Sequence, residues 1–459
     1  MGSLNSALSI VVGALDADQG AISVTTNNLA NANTPGYDRQ IAQFSENDPI
    51  QVGNLILGSG VTLEQAQTVR SNVLQLQLNQ ETQTSGQLDA FVNGMSQVET
   101  LFNETAGTGL QTPLSAFFSS LQQLSTNPSD SSLRVGVILA AQNLATAFNQ
   151  SSSALTTQQS DLNQSVEQSV SEVNSYTGQI AQLNNQITSL TESGEDPSTL
   201  IEQRDVALQN LSNVIGINVI AGNSNNITVT TGNGSPLIVG DESFALQTQT
   251  NTTTGMQDVF SQGQDITSQI SSGELGGQIQ VRDQQIPSVL SQIDTLAAGI
   301  ENSVNTQSEA GFDLNGNPGT ALFTAPPPGT TGAAASMGVA ISDPSLVAAS
   351  SDGTPGSNGN ANALASIANQ TIVDGQTPSN YYSGTVFQIG NAVSNATAEQ
   401  TAAQQVTLQL QNQIGALSGV SLDEEAANLT KFQQAYDASA RVVTIISELT
   451  NEAINLGQD

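Results

Sequence analysis

Carboxylates are the only side chains whose type and spacing could do catalytic chemistry here, because the chain has no histidine and no cysteine. Without imidazole or thiol there is no zinc or copper site of the usual kind, no Ser-His-Asp triad and no cysteine nucleophile. Disulfides are excluded as well. What remains is the adjacent trio Asp423, Glu424 and Glu425, and the run Asp313, Asn315, Asn317. Two carboxylates acting as acid and base must flank one bond, whereas neighbours on a helix point about 100° apart. The trio therefore reads as the first turn of a helix, where negative charge meets the positive end of the dipole. Asp313, Asn315 and Asn317 imitate the opening of a calcium loop, but Pro318 stands where that loop requires glycine and Thr324 where a bidentate acid should close it. At most, weak surface binding of a cation is left. Lys431 is the only lysine, so no P-loop is present. No cofactor is implied, and no enzyme chemistry emerges.

The charge balance excludes further classes. Seven basic residues against 40 acidic ones give a net charge of -33, which repels a phosphate backbone and an anionic lipid surface alike. Nucleic acid is not a partner. No basic residue precedes Arg39, so the N-terminus lacks the pattern of a secretory signal. No run reads as long enough to span a bilayer, and the expectation is no membrane insertion. Charged residues make up only 10% of the chain, and a polar surface built on Gln, Asn, Ser and Thr suits helices that pack against many neighbours.

The elements that matter most lie at the two ends. Ser421 followed by Glu424 reads as a capping box that starts a last helix. Along it Leu422, Leu429, Phe432, Tyr436, Val443, Ile446, Leu449, Ala453 and Leu456 recur mostly at steps of three, four or seven, a single apolar seam diluted at Ser439. The first helix offers a matching stripe, with Leu4, Leu8, Val11, Leu15, Asp18, Ile22, Thr25 and Leu29 in unbroken four-three alternation. Acids greatly outnumber Lys431 and Arg441 on these segments, so apolar burial rather than ion pairing must join them. Such long, narrow seams imply helix-on-helix packing. They cannot be buried well within one chain, and both ends are expected to be disordered in solution and to fold against neighbouring subunits.

Between the ends, Asn27, Asn28, Asn31, Asn33, Thr34, Pro35, Gly36 and Tyr37 read as Asn-rich turns with a Pro-Gly reversal. Ile41 to Leu63 looks extended or hairpin-like. Helical periodicity returns at Val69 and again around Leu114 to Leu124, then over a very long stretch from Ser129 to about Glu192, and from Leu200 to Leu211. The period then drops to near two at Ile217 to Ile220, Ile227 to Thr230, Pro236 to Val239 and Phe244 to Leu246. Helix resumes from Ile286 to Val304 and from Tyr382 to Leu417, while Ser350 to Asn360 reads as a flexible linker. The fold class is thus mainly α with an inserted small β domain, a long-helix, coiled-coil-like bundle formed by both chain ends, its discontinuous domains nested hairpin-fashion. The expected division is 1–40 with 420–459 as a terminal assembly domain, 41–213 with 284–419 as a long-helix bundle, and 214–283 as the β domain.

Asn27 to Gln40, with Asn-Asn-Leu-Ala-Asn, Asn-Thr-Pro-Gly-Tyr and Arg-Gln, resembles the N-terminal signature shared by axial proteins of the bacterial flagellum, meaning rod, hook and hook-associated protein 1. Ser418 to Leu429, followed by Phe432 to Tyr436 and Ala438 to Val442, is similar to the hook-associated protein 1 family in particular. Leu200 to Asp205, and Gly276-Gly277 through Arg282-Asp283 to Asn317, agree with it. Larger relatives in that family insert an outer domain after the position of Phe323, so that domain is expected to be absent near 324–338, and Gly457-Gln458-Asp459 extends past the usual end. The resemblance implies a structural protein without enzymatic activity, exported through the flagellar type III apparatus. It would form a ring with copies of itself at the extracellular junction of hook and filament, after a transient cytoplasmic stage. Its implied partners are the hook protein, the next hook-associated junction protein, and an export chaperone at the C-terminal helix. Another axial component, hook or distal rod, shares the N-terminal motif, and the Asp423 to Leu429 block argues against it. A carboxylate-based extracellular glycan hydrolase on axial ends is the remote alternative.

Overall fold

The computed structural model describes residues 2–52, 55–105 and 107–456. The chain opens with α1 (Gly2–Asn31) and an arm of four strands, β1 (Gln40–Glu46), β2 (Ile50–Val52), β3 (Leu55–Leu57) and β4 (Val61–Thr68). Two helices follow, α2 (Asn72–Leu101) and α3 (Gln111–Thr126), then the 63-residue α4 (Ser131–Ser193) and α5 (Ser198–Val214). Asp130 starts α4 by accepting from the Ser132 and Leu133 amides at 2.7 and 3.3 Å, as an N-cap should. Gly194 stops it in the left-handed region, φ 79°, returning its amide to Leu190 and Thr191.

The β domain holds two antiparallel sheets. One runs β5 (Ile217–Ala221), β6 (Ile227–Thr231), β7 (Pro236–Val239), β8 (Glu242–Ser243), and the other sets β10 (Gln257–Ser261) between β9 (Leu246–Thr250) and β11 (Gln264–Asp265). Phe244 and Ala245, expected inside a strand, lie between β8 and β9. The chain returns through α6 (Gly273–Gln280), a π turn over Val281–Gln285, α7 (Ile286–Glu309), the short α8 (Ala333–Ser336) and α9 (Gly359–Ser366), and closes with α10 (Pro378–Ser418) and α11 (Leu422–Leu456).

The main core joins α2, α3, the first half of α4, α7, α9 and α10 around Phe117, Phe148, Phe323 and Ile300, each fully buried. Phe117 meets Phe118 and Phe323 with ring centroids 5.2 and 5.3 Å apart. A second core joins the later part of α4, α5 and α6 to the β domain. Buried and half-buried polar groups fasten that domain. Asn174 exchanges hydrogen bonds with the Leu246 backbone at 2.8 and 2.9 Å. Arg282, with no exposed surface, reaches Asn163 and the Gln257 carbonyl at 2.9 and 2.8 Å. Ser350 to Asn360 is an ordered turn rather than a loose linker: Phe312 and Ser350 exchange backbone bonds, and Asp352 accepts from Thr354.

Two expectations about the ends need correction. In a single chain α1 and α11 are helices packed on each other, not disordered segments, because each covers part of the other and the arm covers more. Among the described residues, Leu4–Asn31 is also long and apolar enough to cross a membrane by length and composition. Its apolar residues are diluted by Ser, Thr and Asn, with Asp16 and Asp18 its only charges, which hides the run from inspection. Here that helix packs against protein.

Candidate assembly interface

Along α1 the buried residues are Ala17, Ala21, Thr25 and Asn28. Leu4, Leu8, Val11, Leu15 and Ile22 are half-buried and Leu29 is exposed. Gly13 and Gly20, seven residues apart on one face, let β4 approach, Gly20 against the Leu63 side chain. A stripe of small residues at steps of three and four was the signal for this second face. On α11, Ile446 is buried, Leu429, Phe432 and Val443 are half-buried, and Leu422, Tyr436 and Leu449 remain 53, 37 and 48% exposed. The Leu456 side chain and Gly457 to Asp459 lie outside the described residues. The predicted seams therefore meet, yet leave much apolar surface open. Phe432 also packs toward Phe44 of the arm, ring centroids 6.1 Å apart.

The capping box at Ser421 forms by half. Its hydroxyl accepts from the Glu424 amide at 3.5 Å, but the Glu424 carboxylate pairs with Arg39 at 2.9 Å. An ion pair thus does help seat α11, from the loop after α1 rather than from α1 itself.

That loop is built around Asn28. Its amide donates to the Gln40 carbonyl at 2.8 Å, and its oxygen accepts from the Gln40 amide at 3.0 Å and the Tyr37 hydroxyl at 2.7 Å. One side chain so imitates a paired strand and ties the end of α1 to the start of β1. Asn31 donates to Asn27 and accepts from the Thr34 hydroxyl. Thr34 to Tyr37 is a reversal closed by the Tyr37 amide on the Thr34 carbonyl at 3.2 Å. Pro35 suits its first inner position, and Gly36, φ 77°, fills the second, where a side chain is strained. Gly36 also lies against Val206 of α5 so closely that a Cβ would overlap it. Asn33 and Pro35 are exposed. Between the turn and α5 lies a cleft of about 510 Å³.

Beneath the loop is a cluster that sequence reasoning missed: Asp38, Glu202, Asp205 and Glu425, with Arg70 on Asp205 at 3.3 Å. Burial and then the Asp38 charge push Glu202 up to about 7. Burial, then Glu202 and Glu425, push the Tyr37 hydroxyl up to about 12. The only trace in the sequence was the acid-rich Glu202 to Asp205 block. Elsewhere, the Asp313 carboxylate is occupied by the Asn315 and Asn317 amides, each at 2.8 Å, and closes a turn. Among the described residues no group of three or more acids is arranged to hold a metal ion.

Residues 95–323 match the model of the flagellar hook-associated protein FlgK helical domain, residues 8–37 that of the flagella basal body rod protein, and 414–456 that of the flagellar basal body rod FlgEFG protein C-terminal. Flagellar hook-associated protein 1 of Bacillus subtilis is 31% identical, the alignment covering 96% of each chain. The chain belongs to the flagellar hook-associated protein 1 family. The Escherichia coli member of the family is 26% identical over 549 aligned positions that cover 99% of this chain and all of its own. The flagellar hook junction protein FlgK from Burkholderia pseudomallei shares the fold, with a TM-score of 0.68 at 20% identity over 74% of this chain and all of that one. Family membership makes the protein a structural component of the bacterial flagellum.

Proposed function

We propose that this protein is the structural subunit of the junction between flagellar hook and filament, forming a ring with copies of itself and carrying no enzymatic activity. The observation that carries the reading is the incomplete burial of the α1/α11 pair, whose residues Leu422, Tyr436 and Leu449 keep 53, 37 and 48% of their surface exposed. An apolar seam left open on a helical pair marks a surface that a further partner can cover. We take Leu4, Leu8, Val11, Leu15, Ile22 and Leu29 on one side, and the α11 seam on the other, as the surface that neighbouring subunits complete. The motif Asn27 to Tyr37 fixes the direction in which that pair leaves the body.

The hook protein and the next hook-associated junction protein are the neighbours this reading assigns. Family membership supports export through the flagellar type III apparatus, to an extracellular position after a cytoplasmic stage, as the route this reading assigns, and a chaperone on α11 would cover the seam before export. In our division the arm goes with the terminal domain, because β1 and β4 pack on α1. The bundle then runs over 69–213 and 284–419, and the β domain over 214–283. The greater length of the Escherichia coli alignment supports an outer domain absent near 324–338. Deleting the gene tests the function. Hooks without filaments, with flagellin lost to the medium, are expected. Intact filaments would overturn the reading, and loss of hooks would move the protein to the hook or rod.

A further inference from the structure

Three crossings join the terminal helices to the body: the loop after α1, the start of α2, and the turn from α10 to α11. Backbone bonds knot them together, Arg39 amide to Ser418 carbonyl at 2.8 Å and Val69 amide to Arg39 carbonyl at 2.9 Å. The side chains around the knot are mostly acidic. Glu202 of α5 is 7% exposed and receives the Asp38 amide, yet its Oε1 has no partner. Facing it are Asp38 and Tyr37 from the loop, Arg70 from the start of α2 and Asp196 from the turn before α5. Glu425 of α11, 3% exposed, is near enough for its charge to act on Tyr37. Arg70 favours an ionised Glu202 through its charge, but the hydrogen bonds of the nearby cations go to other groups. Arg70 pairs with Asp205, Arg39 with Glu424, and Arg204 turns away to Asn184 and the Asn225 carbonyl.

We propose that this joint is a proton-operated latch: with Glu202 neutral the axial loop stays seated on α5, and with Glu202 ionised it lifts away. An ionised Glu202 is buried beside Asp38 without a full complement of donors, and lifting the loop returns it to water. Burial first, then Asp38, raises Glu202 from the ordinary 4.5 to about 7 in the seated state. A raised acid favours the seated form fully below pH 4.5, and that contribution is lost as pH climbs to about 7. Asp38 and Asp205 are shifted up as well, burial being the first cause in each, so they work in the same direction. The latch sets the angle between the terminal pair and the body within one chain, and it stands whether or not the chain forms a junction ring.

Because the chain has no cysteine, Asn33→Cys with Gln203→Cys places dyes across the cleft without background labelling. In the full-length monomer, energy transfer should fall as pH rises from 4.5 to about 7. Glu202→Gln should lose most of that fall, leaving only the smaller part carried by Asp38 and Asp205, while Glu301→Gln, in the body core, should keep the wild-type response. A wild-type signal that does not move with pH overturns the latch. So does a Glu202→Gln variant, shown folded by its helical circular dichroism, that still responds as wild type does.

Discussion

The body and the terminal pair are both helical, but they differ in what they bury. In the body Phe117, Leu121, Phe148 and Ile300 have no exposed surface. Among the described residues of the terminal pair, Ile446 is the one large apolar side chain that reaches burial, alongside the small Ala17 and Ala21. The body thus completes its own core, and the pair leaves much of its apolar seam open. Stability of the monomer and assembly of the flagellum should therefore be separable by mutation.

The sharpest way to break that separation is Leu429→Asp with Phe432→Asp. It puts two charges into the seam and removes the Phe44 contact, so filament attachment and motility should be lost while the body still unfolds at its wild-type denaturant midpoint. A lowered midpoint would show that the two regions are one cooperative unit. Next, Phe117→Ala deletes the centre of the body core and should cost about 3–5 kcal/mol in denaturant unfolding of the monomer. A loss no larger than that of an exposed substitution would mean the core is not self-sufficient. The smallest effect is a pH slope. Glu301 is 1% exposed, neither carboxylate oxygen has a partner, and burial raises it from 4.5 to about 7. Body stability should fall as pH rises between those values, because the folded state holds the proton longer. Glu301→Gln should flatten that slope in unfolding curves taken across the range.

Legibility followed the same divide. The long helices could be read because the apolar period of α4 and α7 is regular and their ends are marked by Asp130, Gly194 and Pro287. α6 was invisible because Gly273, Gly276 and Gly277 argue against helix. The structure needs Gly277 there, since a Cβ would overlap the Gln87 carbonyl of α2. β10 and β11 were missed because Gln257, Asp258 and Ser261 blur the apolar alternation. At the interface, the seam positions could be listed in sequence, but the face on which α1 meets the arm was missed, because its small residues are marked only by their spacing and not by hydrophobicity. The acidic joint was beyond reach for a different reason. Asp38, Arg70, Glu202 and Glu425 come from four separate stretches, and only the folded chain reveals that they gather around the Tyr37 loop.

α4 passes without a break from the main core to the second one, with buried residues from Arg134 to Ile187. At 1.5 Å per residue its 63 residues make a rod about 95 Å long. Neither core can swivel on the other unless that rod bends, so a load applied at the joint under α5 travels along the whole subunit as through a stiff spar. Compliance is confined to the three crossings at its foot, and a rotating shaft built from such subunits would flex there while each body turned as a solid piece.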